Sequence, residues 1–434
     1  MHQIVIVGGG AGGLELATRL GDTLGKKGVA EITLIEKSRT HFWKPHLHEL
    51  AAGSVDLDIH ELDYLAQSYW HGFRYRIGEM TGLDRTKQLV HVAPYWDDEG
   101  NQVTEARSVY YDTLIIAVGS QTNDFGTPGV SQYAVALEST AEADRFHRRL
   151  VNAFLRAHAQ STPLRPEQLQ VVIVGAGATG VELAAELHNA TRDLVAYNLD
   201  RIEPDKHIHI HLVEASSRIL PALPIRISDA AQKMLTQLNI QVHTGAAVAE
   251  VMENAVRLNN GTVIPGELVV WAAGVKAPQF LTQLGLEVNT INQLVVKDTL
   301  QSTLDPKIFA IGDCAACRWQ AHSGKNVPPR AQAAHQQSNH LIKELPKWIR
   351  GEPLRAFHYR DFGSLVSLGE YTTVGHLMGN FAGGNLWVEG LFARYMYISL
   401  YKLHEMALHG FWKMALTTLS RFISRRTVPH VKLH

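Results

Sequence analysis

One short pattern occurs twice in this chain. IVIVGGGAGGLELA at residues 4–17 returns as VVIVGAGATGVELA at residues 171–184. Each copy is a β-branched run, then G-x-G-x-x-G, then apolar residues at helical spacing, which predicts a strand, a tight turn and a helix. The glycines are Gly8, Gly10 and Gly13 in the first copy, and Gly175, Gly177 and Gly180 in the second. In such a turn the first glycine permits the sharp passage from strand to helix. The second lets the backbone approach a pyrophosphate, and the third lets helix and strand pack closely. The diphosphate then lies at the helix N-terminus, where free N–H groups and the macrodipole favour negative charge. Ala11, Gly12 and Thr179 lie inside these turns and belong to the same expected cradles.

Each copy leads to a second apolar run that ends in an acid, EITLIE at 31–36 and IHIHLVE at 208–214. Glu36 and Glu214 are therefore expected to accept hydrogen bonds from ribose hydroxyls and to repel a 2′-phosphate. That favours NADH over NADPH, with the nearby Arg218 as the opposing feature. Both spacings from glycine to acid exceed the usual ~20 residues. The second is the longer, and its extra residues around 197–206 read as a lengthened loop. Two fingerprints of this kind predict an α/β chain with two Rossmann-like dinucleotide-binding domains.

Composition agrees and narrows the class. The 434 residues exceed one ordinary core, so two or three domains are expected. With 45% hydrophobic and 19% charged residues the chain has the balance of a folded enzyme. A formal net charge of -1 argues against nucleic acid as a partner bound by the whole surface. Cys314 and Cys317 are the only cysteines, which speaks against a secreted disulfide framework and for a reducing cytoplasm. They have C-x-x-C spacing, but no second half-site accompanies them. Buried small hydrophobes are the expected reading, ahead of redox or metal work. The alternating His207, His209 and His211 share a strand face, and no metal site is expected there. No leader is expected, because Ile4 to Val7 run straight into the glycine turn. Nowhere do about 18 apolar residues run together, so no membrane-spanning helix is expected.

The composition shifts at residues 391–434, where seven Lys or Arg face the single acid Glu405. Phe411, Trp412, Ala415, Leu416, Leu419, Phe422 and Ile423 recur at helical spacing. An amphipathic basic helix of this kind can lie in a headgroup plane. A core-packing terminal helix fits the same pattern. The scarcity of acids favours the phospholipid surface.

Further segments resemble the two-dinucleotide-binding-domain flavoproteins, the fold of glutathione reductase. YDTLIIAVGS at 111–120, with Gly119, resembles that family's first-domain exit strand. IFAIGD at 308–313 resembles its late FAD motif, in which Asp313 would bind the ribityl chain; helix N-capping is a compatible alternative. WAAGVK at 271–276 resembles the strand returning towards the flavin, with Gly274 permitting close approach or a plain turn. The order implies an FAD domain in two parts, 1–135 and 291–345, with an NADH domain at 136–290 inserted between them. A C-terminal region at 346–434 follows, with membrane-anchoring helices from about 391.

FWKPHLHELAAG at 42–53 and AQAAHQ at 331–336 narrow the likeness to the type II NADH dehydrogenases, non-pumping NADH:quinone oxidoreductases, over essentially the full length. The resemblance implies that Lys44, Ala331 and Gln332 sit at FAD and that Gln332 and Gln336 line the quinone pocket. Read as residues alone, the two glutamines follow Pro328-Pro329, which can start a helix, and share one face four apart. They offer donors to quinone carbonyls without adding charge; on the residues alone a solvent-facing pair is the favoured reading, and the resemblance reverses it. The resemblance also places Glu182 near the nicotinamide–flavin contact with a part in proton handling. The first repeat carries Glu15 in the same place, so helix stabilisation stays open as its role. Implied too are peripheral attachment to the cytoplasmic side of the inner membrane and a homodimer. The competing readings are a soluble NADH-dependent reductase of an electron-carrier protein and a redox-sensing flavoprotein. Residues 36–55 lack the C-x4-C pair of disulfide reductases.

Overall fold

A computed structural model of the chain describes residues 1–368, the strands Thr372–Met378 and Asn385–Glu389, and scattered positions among residues 399–432. The chain divides into two compact units.

The first unit gathers Met1–Trp43, Glu61–Gln121 and Val275–Arg360. Its centre is a five-stranded sheet in the order Ile308–Ala310, Thr113–Ile116, His2–Val7, Ala30–Glu36, Arg74–Ile77. Every pairing is parallel. Ile4, Ile6, Ile32, Leu34, Leu114 and Ile115 are all buried. Continuous burial along a strand is what a parallel sheet covered on both faces requires, and each such side chain contributes roughly 1.5–3 kcal/mol. The first fingerprint helix, Ala11–Leu20, follows the central strand. It stops at the turn Gly21–Gly25, where a Cβ on Gly21 would come within 2.2 Å of the His71 carbonyl. A three-stranded antiparallel sheet, Arg107–Tyr110, Leu89–Val92, Met80–Asp84, completes this unit.

The second unit comprises Lys44–His60, Thr122–Gly274 and Asp361–His434. Its parallel sheet runs Ala134–Ala136, Leu268–Trp271, Gln170–Val174, His209–Val213, Gln241–His243. In both units the fingerprint strand is central, with the acid-ended strand on one side and a later strand on the other. The second fingerprint helix, Ala178–Ala196, has 19 residues against 10 in the first. Leu183, Leu187, Ala190 and Leu194 keep apolar residues on its buried face, and the stretch expected as loop, 197–206, begins beyond its last residue. A short helix, Pro204–His207, takes up part of the remainder.

After Asp361 come three antiparallel strands, Gly363–Leu368, Thr372–Met378 and Asn385–Glu389. Most of the expected anchoring segment lies outside the described residues. Within it, Trp412 and Leu416 are four apart and exposed, at 79% and 67%. Lys432 is committed elsewhere: its ammonium lies 2.7 Å from Asp56, and its N–H donates to the Gly53 carbonyl. Among the described residues no helix is long and apolar enough to cross a membrane.

Candidate functional site

The two glycine turns are built alike. Gly8 has φ +101°, and a Cβ there would lie 2.4 Å from the Ala117 carbonyl oxygen. A Cβ on Gly13 would lie 1.9 Å from the Gly8 oxygen. The protein's own packing therefore demands glycine at both positions. Gly10 differs: a Cβ there would meet nothing within 4 Å. The same holds in the second turn. Gly175 (φ +102°) abuts Ala273 and Gly180 abuts the Gly175 oxygen, whereas Gly177 faces open space. Neither helix N-terminus is capped by a side chain or carries an acid in its first turn. The N–H groups are left for an anionic ligand, which is what a diphosphate requires.

The two strand-end acids also act alike. Glu36 accepts from the Gly9 N–H (2.6 Å) and the Ser38 N–H (3.1 Å). Glu214 accepts from the Ala176 N–H (2.9 Å) and the Ser216 N–H (2.8 Å). Each carboxylate thus holds its glycine turn while retaining lone pairs for a diol. The Arg218 guanidinium donates to the carbonyls of Leu220, Pro221 and Leu223. It is spent on its own loop, which weakens the one feature that opposed NADH.

Several residues that the sequence did not single out complete the first turn. The buried Tyr64 hydroxyl donates to the Gly9 carbonyl (2.7 Å), and its ring stacks on Tyr75 at 5.3 Å. Burial and the nearby Glu36 charge push its phenol well above the usual range. Gly12 is packed, with the Ala334 oxygen 3.2 Å from where its Cβ would be. Gly119 is left-handed (φ +73°) with open space beside it. The next residue, Ser120, donates its hydroxyl to Asp313 (2.7 Å). Asp313 is the second residue of the turn Gly312–Cys314 and not its cap, so the capping alternative is not realised. Gln337 accepts from the Gly312 N–H (2.7 Å), and Gln293 donates to the Asp313 carbonyl (2.8 Å).

The helix Ala331–Ile349 is entered from an extended Arg330, so the two prolines precede the cap and do not open the first turn. Ala331 and Gln332 are its first two residues and partly accessible. Gln336 spends both ends of its amide on Arg360, donating to its carbonyl (2.8 Å) and accepting from its N–H (3.0 Å). Between them His335 pairs with the buried Glu15 (Nδ1 to Oε2, 2.7 Å), which raises the imidazole pKa.

In the second unit, Glu182 is buried and accepts from the Ser367 N–H (3.0 Å), while its other oxygen lies 3.8 Å from His48 Nδ1. Burial pushes its carboxyl up to about 8. Thr179 is exposed at the second turn. Gly274 is left-handed (φ +65°) and packed against Phe125, so close approach is used here by a side chain of the same unit. Lys44 is exposed and opens the short turn Lys44–His46.

Residues 2–338 match the family described as pyridine nucleotide-disulphide oxidoreductase. A type II NADH:quinone oxidoreductase of Haemophilus influenzae is 42% identical, with all of both chains covered. The chain belongs to the type II NADH:quinone oxidoreductases within that broader family. Another type II enzyme, NdhA of Mycobacterium tuberculosis, is 26% identical over 94% of this chain and 86% of its own. The solved structure of NDH2 from Plasmodium falciparum in complex with NADH superposes with a TM-score of 0.82 at 20% identity, covering 99% and 100% of the two chains.

In this type II oxidoreductase chain both cysteines are buried, as small core hydrophobes would be. Burial pushes each thiol up to about 12, away from the range in which a thiolate forms readily. His211 bonds to His243 and Gln170. Among the described residues no cluster of His, Cys, Asp or Glu could hold a metal ion.

Proposed function

We propose that this chain is a FAD-dependent NADH:quinone oxidoreductase, with FAD on the first glycine turn and NADH on the second. The observation that carries the reading is the doubled cradle: in each, the glycine that faces a ligand is the one the protein's own packing does not require. Bound FAD supplies the two-electron chemistry, taking a hydride from NADH and passing the electrons to quinone. Gly8, Gly10, Ala11, Gly12, Gly13, Glu36, Gly119, Asp313, Ala331 and Gln332 would hold it, with Lys44 contributed from the segment after Trp43. Gly175, Gly177, Thr179, Gly180, Glu182, Glu214 and Gly274 would hold NADH. The committed Arg218 and the carboxylate of Glu214 support NADH over NADPH.

Gln332 and Gln336 would meet the quinone. With both amide ends of Gln336 on Arg360, its support for this role comes through the backbone it positions, or through release of that pair when a carbonyl competes. We further assign the C-terminal segment to the phospholipid surface, on the cytoplasmic side of the inner membrane, and the working unit to a homodimer. The exposed Trp412 and Leu416 support the first of these.

The test is a split kinetic assay on Gln336→Ala. Steady-state quinone reduction should fall while NADH still bleaches the bound flavin at the wild-type rate. Equal loss of both would remove Gln336 from the quinone step.

A further inference from the structure

The two cradles are closed by the same circuit of four hydrogen bonds, made from different chemistry. In the second, one oxygen of Glu214 accepts from the Ala176 N–H (2.9 Å) and the other from the Ser216 N–H (2.8 Å). The carbonyls of those two residues are held by backbone: the Leu220 N–H donates to Ala176 and the Gly245 N–H to Ser216, each at 2.7 Å. In the first, Glu36 grips the Gly9 and Ser38 N–H groups in the same way (2.6 and 3.1 Å). Here the two carbonyls are held by phenols. The Tyr64 hydroxyl donates to Gly9 (2.7 Å) and the Tyr75 hydroxyl to Ser38 (2.6 Å).

The phenols come from separate elements, the helix Tyr64–His71 and the strand Arg74–Ile77. Their rings stack at 5.3 Å with 18° between the planes, so each braces the other against the carbonyl it serves. A peptide unit is planar, and fixing its carbonyl also fixes the N–H of the next residue, which points the opposite way. The Gly9 carbonyl shares its plane with the Gly10 N–H. Gly10 is the N-cap of the helix Ala11–Leu20, and a Cβ there would meet nothing within 4 Å. Holding the Gly9 carbonyl therefore sets the direction of an N–H at the helix N-terminus, where a diphosphate is expected. The same contact explains a difference between the repeats. A Cβ on Gly9 would lie 2.4 Å from the Tyr64 oxygen, so the first turn needs glycine where the second carries Ala176.

On the assignment of FAD to the first turn, we propose that Tyr64 and Tyr75 are positioning residues that set the affinity of that cradle for FAD and leave the NADH cradle unchanged.

The two phenols carry unequal shares. Gly9 is buried, so without the Tyr64 hydroxyl its carbonyl is stranded away from water, whereas the exposed Ser38 can replace Tyr75 by solvent. Burial and the Glu36 charge push both phenols above their usual range, which keeps each hydroxyl protonated and able to donate. The second cradle has its own backbone closure at Leu220 and Gly245 and owes nothing to either ring.

The test uses the full-length protein with Tyr64→Phe and, at the more accessible end of the circuit, Tyr75→Phe; both keep the ring and its stack. The Kd for FAD is measured by equilibrium dialysis against graded FAD, beside the KM for NADH at saturating FAD. Tyr64→Phe should raise the Kd about tenfold and Tyr75→Phe about threefold. Saturating FAD should restore the flavin band in both, with the KM for NADH at its wild-type value. If Tyr64→Phe does not fold, the threefold shift in Tyr75→Phe carries the test. A Kd unchanged in the folded variants would remove the phenols from cofactor binding. A flavin band that saturating FAD cannot restore, or a KM for NADH that rises in step with the Kd, would reduce them to general packing. A wild-type protein that binds no FAD would instead sink the assignment of FAD to the first turn.

Discussion

Glu182 and Glu15 occupy the same place in the two repeats, yet their surroundings give them different chemistry. Burial raises the Glu182 carboxyl to about 8 from the ordinary 4.5. Between those values the unfolded chain has lost the proton and the folded chain keeps it, so this residue lowers stability as pH rises through that window. Glu182→Gln should therefore raise Tm, slightly near pH 5 and more near pH 8, in a thermal melt followed by circular dichroism; an equal shift at both would deny the raised pKa. Glu15 instead meets His335, whose pKa is raised by that contact. The contribution of the pair is complete below the ordinary imidazole value of 6.5 and fades as pH rises through the raised one. The Tm loss of His335→Gln should accordingly be larger near pH 6 than near pH 9. A sequence shows both acids but not their partners: His335 is 320 residues from Glu15 in the chain.

At the scale of elements, each strand–turn–helix could be read directly, since a G-x-G-x-x-G turn admits few backbones. What the structure adds is which glycine serves packing and which serves a ligand. Gly10 and Gly177 have φ of -65° and -72° and open space beside them, so a larger residue fits the fold at both. Gly10→Val should purify folded but without flavin. Gly177→Val should keep its yellow colour and its melting temperature while its KM for NADH rises by tenfold or more, about 1.4 kcal/mol. Unfolding of either would mean that the turn needs glycine for packing throughout. Other elements were less legible. The short helix Pro204–His207 fell within the stretch read as loop, because Tyr197 to Lys206 carry no apolar periodicity. The antiparallel sheets at 80–110 and 248–265 are built of strands too short to announce themselves by alternation. Tyr64 left no trace in the sequence, and its place on Gly9 is set by folding alone.

Over the whole molecule, each compact unit carries one complete cradle, and the second also holds Glu182 and the C-terminal segment. Truncation after Gly390 should release the protein from anionic vesicles in a flotation assay, and persistent binding would place the membrane contact elsewhere. The central claim, that electrons pass from NADH through a bound flavin to a quinone, is tested most directly by the visible absorption spectrum of the purified protein without oxygen. The account requires a flavin band that NADH bleaches and that a soluble quinone then restores, one NADH oxidised for each quinone reduced. A folded, colourless protein that cannot be reconstituted with FAD, or a yellow one whose band NADH leaves untouched, would contradict it.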